Sequence, residues 1–105
     1  MLTRDAAIEI VRNYAREIQG RGIHLRSVIL YGSFARGTQH EWSDIDVALV
    51  ADEFTGFTFN DCKLYSGLGI RKPYIRIEEK TYPTDYFQQS DPFIEEITKT
   101  GIKII

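Results

Sequence analysis

The chain has one cysteine, one tryptophan, two histidines and three prolines among 105 residues, and no surplus of positive charge. A lone thiol, Cys62, excludes an internal disulfide framework, and His24 and His40 with one cysteine do not match a zinc-ligand spacing. No apolar run has the length that crosses a bilayer, and no charged-then-apolar leader opens the chain. These absences predict a soluble protein of a reducing, cytoplasmic compartment with no membrane partner. A net charge of −2 also lacks the basic footprint that polymeric nucleic acid demands. The length fits one domain over residues 1–105, with room for a single core and none for a separate substrate domain, so a large substrate must be met partly by another chain.

What is present is periodic. Ile8, Val11, Ala15 and Ile18, widened by Ala7 and Tyr14, recur at helical steps between Thr3, a capping residue, and Gly20 or Gly22. "RSVILY", residues 26–31, and "DIDVALV", residues 44–50, are short, apolar and rich in β-branched residues, and read as strands. A short helix is expected near Thr58 to Leu68, and a third strand over "PYIRIEEKTY", residues 73–82. Ser90 or Asp91 can cap a helix with Pro92 in its first turn, ended by Gly101 before an edge strand "IKII". Strands alternating with helices in so short a chain predict a two-layer α/β sandwich, with a small mixed sheet, helices chiefly on one face and the other face available to a ligand.

The chemistry concentrates in "YGSFARGTQHEWSDIDVALV", residues 31–50. Gly32 and Ser33 end a strand, where a glycine lets backbone N–H groups come close to a phosphate and a serine hydroxyl adds a donor. Such a turn is common in ordinary loops and means little alone. Asp44 and Asp46, however, fall on one face of a strand with Cα atoms about 6.6 Å apart. Like charges so close resist joint ionisation unless a cation lies between them, and Mg²⁺ with substrate phosphates is the natural occupant. Arg36 can add a charge-assisted contact to phosphate. Trp42 is expected to cover its loop against the sheet rather than to stack on a base.

The joint pattern, Gly-Ser, ten residues, then Asp-x-Asp between apolar positions, resembles the signature of the DNA polymerase β-like nucleotidyltransferase superfamily. Gly32, Ser33, Asp44 and Asp46 fall on it, and Gly37 and Ser43 match the form common in minimal nucleotidyltransferases. The likeness is strong over residues 28–50 and looser through "RIEEKTYPTDYF" and "DPFIEEITKTGIKII". It implies a nucleotidyltransferase fold in which Gly32, Ser33, Arg36 and Ser43 bind the nucleotide and Asp44 and Asp46 hold two Mg²⁺ ions. It also implies transfer of a nucleoside monophosphate, AMP from ATP in the first instance, to a hydroxyl of a protein. Minimal members often act as the antitoxin beside a HEPN-type toxin, so such a toxin is the implied protein partner.

One departure stands out. The family's third carboxylate, drawn from a "DxRIEP"-like segment, aligns with Tyr74 of "YIRIEE". Glu78 is then the substitute candidate, and Asp61 and Asp85 the next. The resemblance therefore leaves two functions open, an enzyme using Asp44, Asp46 and Glu78, or a catalytically weak nucleotide-binding module that acts by contact with a partner. Self-association through "IKII" is a further expectation.

Overall fold

The Thr3 hydroxyl accepts a hydrogen bond from the Ala6 N–H at 3.1 Å and so opens α1, Arg4–Gln19, in a computed structural model that describes all 105 residues. The helix stops at Gly20, and its Ala7, Val11, Tyr14, Ala15 and Ile18 are buried as their spacing requires. The elements then run β1 (Leu25–Tyr31), α2 (Ser33–Arg36), β2 (Ile45–Ala51), α3 (Thr58–Asp61), β3 (Ile77–Pro83), α4 (Thr84–Gln89), α5 (Pro92–Thr100) and β4 (Ile102–Lys103). No helix is long and apolar enough to cross a membrane.

The sheet order is β3-β2-β1-β4. β1 runs antiparallel to both β2 and β4, whereas β2 and β3 are parallel, so the sheet is mixed. Strand alternation sorts side chains onto two unequal faces. Val28 and Leu30 of β1 and Ile45, Val47, Leu49 and Ala51 of β2 meet α1, Phe34, Tyr65, Leu68 and Tyr74 in the larger core. Ile29, Ala48, Val50 and Tyr82 meet Ile94 and Ile97 of α5 in a smaller one. The expected sandwich is therefore present, but α5 covers part of the face expected to be open. What it leaves free is the end carrying Asp44, Asp46 and Glu78.

Three local expectations change. The helix expected over 58–68 is one turn of α3 followed by a 3-10 turn, Cys62–Tyr65. Its cause is Asp61, whose buried carboxylate accepts from the Thr55 and Gly56 N–H groups and from the Thr55 and Thr81 hydroxyls, which ties the segment to β3. The third strand starts late, because Tyr74–Arg76 form a 3-10 turn before Ile77. The "IKII" edge is shorter and better covered than expected. Only Ile102 and Lys103 form β4, and Ile102, Ile104 and Ile105 pack against the larger core, which leaves little apolar edge for a second copy.

Candidate active site

Three strand ends meet at one corner of the sheet. In the β1–β2 register Tyr31 faces Asp46, and in the β2–β3 register Asp46 faces Glu78. The Gly-Ser turn therefore flanks Asp46 on one side and Glu78 flanks it on the other. Gly32 has φ 73°, a left-handed conformation that disfavours any side chain. A Cβ there would collide with Asp46 Oδ2, so backbone and carboxylate are in direct approach. α2 follows with no side-chain cap at its start, which leaves early N–H groups open to an anion. Its position is set by Phe34, fully buried, and by Arg4 Nε, which donates to the Phe34 carbonyl at 3.1 Å.

The electrostatics follow from the crowding. Burial, then the Asp44 charge, push the Asp46 carboxyl above its ordinary range, and the nearby Arg36 guanidinium pulls the other way. Glu78 is raised chiefly by direct contact with the Asp44 carboxylate, then by the Asp44 and Asp46 charges. Three acids whose charged forms oppose one another prefer a cation or a shared proton. They do not converge as a ready-made cluster of three metal-ligating groups. Further ligands from a bound phosphate would be needed to complete a metal shell, as is usual for Mg²⁺.

The sequence-derived candidates divide. Gly32, Ser33, Arg36, Asp44, Asp46 and Glu78 lie around this corner. Ser43 is buried and its hydroxyl accepts from the His40 N–H at 2.9 Å, which shapes the loop leading to Asp44. Tyr74 is not at the corner. Its ring packs 5.0 Å from that of Tyr14 on the α1 side, and its hydroxyl donates to Glu17. Because residues 74–76 coil instead of extending, Glu78 enters beside Asp46 with no shift of the strand, and the alignment of Tyr74 with a third acid does not describe the structure. Asp61 is occupied as a clamp, and Asp85 is exposed in the first turn of α4. Trp42, expected to cover the loop, is 82 % exposed.

Arg76 is the residue that sequence reasoning passed over. Its guanidinium donates to the carbonyls of Ser43 at 2.6 Å and Glu41 at 3.1 Å, and it stands 6.0 Å from the Phe34 ring. One cation thus joins β3 to the loop before Asp44 and to α2. Its only signal in the sequence is its place two residues before Glu78 in "RIEE".

On the same face β3 continues through Lys80 and Tyr82 into an open cleft of about 370 Å³, walled also by Tyr86 and Phe93. The Lys80 ammonium lies 4.5 Å from the centre of the Phe93 ring, and that ring meets Tyr31 edge-on at 5.8 Å. None of the three acids lines this cleft, which runs from Lys80 toward Pro83 and Gly56, away from the carboxylate corner.

No curated protein sequence matches the chain. A solved crystal structure of a toxin-antitoxin with AMP-PNP shares the fold, with a TM-score of 0.60 and 20% identity, over 90% of this chain and 72% of that one. The family model of the nucleotidyltransferase domain matches residues 8–104, which hold all four strands and every helix except the first turn of α1. With its Gly-Ser turn set against Asp46, the middle of three neighbouring acids at the strand ends, the chain belongs to the nucleotidyltransferase domain family.

Proposed function

We propose that the chain binds ATP, or another nucleoside triphosphate, with Mg²⁺, and moves the nucleoside monophosphate to a hydroxyl of a protein acceptor. The observation that carries this reading is the position of Asp46 between the Gly32 backbone and Glu78. The donor set suits a hard divalent cation, because mutual repulsion among Asp44, Asp46 and Glu78 is relieved by positive charge. When bound there, Mg²⁺ supplies charge neutralisation for the phosphates.

The chain's own residues supply position and proton handling. Gly32 and Ser33 hold the β- and γ-phosphates, with Arg36 at the end of α2 adding charge. Pyrophosphate then leaves toward the turn, and an in-line attacker must come from the opposite, β3 side. Lys80, two residues beyond Glu78 on the same face of β3, lies on that side. The acceptor oxygen bonds to the α-phosphorus as the bond to the β-phosphate oxygen breaks. In this reading Glu78, its carboxyl raised above the ordinary range by the neighbouring Asp44 and Asp46, takes the hydroxyl proton. Arg76 keeps the loop before Asp44 in register with β3.

The acceptor in this reading is a HEPN-type toxin in the cytoplasm, with this chain as antitoxin. The likeness to a toxin-antitoxin fold supports the partner class. Absence of a preformed three-acid metal cluster favours one second reading, a module that binds nucleotide and partner with little transfer.

Titration calorimetry with ATP and Mg²⁺ separates these readings from a fold without a site. Wild type should bind, and Asp44→Asn with Asp46→Asn should lose about a hundredfold or more, the scale of losing charge-assisted phosphate and metal contacts. Equal affinity in both proteins would remove the metal role. Co-expression with the adjacent-encoded chain and α-labelled ATP then tests transfer. Label on the neighbour supports the enzyme, and co-elution without label the binding module. Separate elution without label sinks the antitoxin reading.

A further inference from the structure

Lys80 stands midway along the face of β3 that leads away from the carboxylate corner. In the β2–β3 register Glu78 lies beside Asp46, Lys80 beside Ala48 and Tyr82 beside Val50. Side chains on one face of a strand repeat every ~6.6 Å. That face therefore presents, in a row, a proton acceptor, a cation and an aromatic wall.

The cation is held in place but unpaired. Lys80 is exposed and takes part in none of the chain's four ion pairs. Its ammonium lies 4.5 Å from the centre of the Phe93 ring and 5.9 Å from that of Tyr82. Ring faces attract a cation without cancelling its charge, and its N–H donors stay free for an oxygen. Asp91, the acid that shares the cleft with Lys80, has both oxygens engaged elsewhere: Oδ1 accepts from the Ile94 N–H and Oδ2 from the Tyr86 hydroxyl, each at 2.8 Å. Beyond Lys80 the cleft of about 370 Å³ opens between Tyr86, Phe93 and Phe57, whose ring is 72 % exposed.

An extended polypeptide repeats its own same-side residues at that ~6.6 Å spacing. Laid along β3 with a hydroxyl at Glu78, it brings its next same-side residue to Lys80 and the one after that to the cleft. A carboxylate at the first position gains a charge-assisted hydrogen bond, and an apolar side chain at the second leaves water against the rings. We infer that the acceptor is an extended protein segment in which an acidic residue lies two positions from the reacting hydroxyl and an apolar residue two positions further on. This rests on the transfer reading above and adds to it which hydroxyls are chosen.

The test uses the whole chain with blocked heptapeptides that space tyrosine, glutamate and leucine by single glycines, in both chain directions. Peptides with lysine for glutamate are the controls. Binding is followed by backbone amide shifts at Lys80, Tyr82 and Phe93, and transfer by label from α-labelled ATP with Mg²⁺. In one direction the glutamate peptide should bind and accept label at least about threefold better than its control, the scale of an exposed ion pair. Lys80→Glu should reverse the preference, a result that misfolding cannot produce. Phe57→Ala should weaken the leucine peptide and leave one with glycine in its place unchanged. If wild type binds no ATP, the transfer reading falls, while the amide shifts still decide the peptide preference. Label passed equally to glutamate and lysine peptides would uphold transfer and overturn the inference. So would an unreversed preference in Lys80→Glu, or a Lys80→Gln variant that keeps the preference but loses ATP affinity, which would assign Lys80 to the triphosphate.

Discussion

The two faces of the sheet carry opposite loads. One buries β1 and β2 under α1 and the segment after α3, with Ile18, Val28, Leu30, Leu49 and Phe34 almost wholly removed from water. The other is covered by Ile94 and Ile97 of α5 with Phe87 of α4, and its free end exposes three mutually repelling acids. The same strand serves both. In β2, Ile45, Val47 and Leu49 point to the core while Asp46, one step out of phase, points to the corner. The larger core thus lies on one side and the candidate site on the other, so a single substitution can change one with little effect on the other.

Leu49→Ala should give the largest effect on the covered face. A fully buried leucine cut to alanine costs ~2–5 kcal/mol. Urea denaturation should show this loss while nucleotide affinity, measured at a temperature where the variant is folded, stays the same. A matching loss of affinity would break the separation of the faces.

On the open face Glu78→Gln should lower transfer by about a hundredfold or more, the usual contribution of a general base. It should also raise the thermal midpoint of the nucleotide-free protein, because one of three like charges is removed. Tyr74→Asp is the contrasting variant. It places a carboxylate beside Glu17 and exchanges a ring packed on Tyr14 for a charge, so it should destabilise the fold and leave transfer no faster. A faster Tyr74→Asp enzyme would put the third acid back on residue 74.

Asp61 lies between these extremes. Burial alone would raise its carboxyl, but hydrogen bonds from Thr81, Thr55 and Gly56 outweigh burial and hold it below the ordinary carboxylate range. Its stabilisation is therefore complete above the unfolded carboxylate pKa and is lost as pH falls through the lower folded value. Asp61→Asn should cost ~1–3 kcal/mol at neutral pH and flatten the acid limb of a stability-against-pH curve. An unaltered acid limb would mean that the clamp carries no charge dependence.

The smallest effect is expected at Trp42. With its side chain outside the core, Trp42→Ala should change stability by less than ~0.5 kcal/mol. If co-elution with a partner chain weakens in the same variant, the indole belongs to the interface.

Sequence alone determined what local chemistry controls. The α1 cap at Thr3, its buried stripe, the apolar strands, the Asp91 cap with Pro92 behind it, and the glycine-serine turn before two spaced acids all express preferences of neighbouring residues. The fold class and the corner made by Gly32, Asp44 and Asp46 were legible for that reason. Only the tertiary structure decided which acid stands beside Asp46 on the neighbouring strand. Whether residues 74–76 coil or extend depends on Glu17, fifty-seven positions before Tyr74, drawing in its hydroxyl, and on Arg76 reaching the carbonyl of Ser43. Those contacts hold β3 back to Ile77, where Glu78 pairs in register with Asp46. Partners so distant in sequence leave no periodic trace, because their energies exist only once α1, β2 and β3 have been brought together.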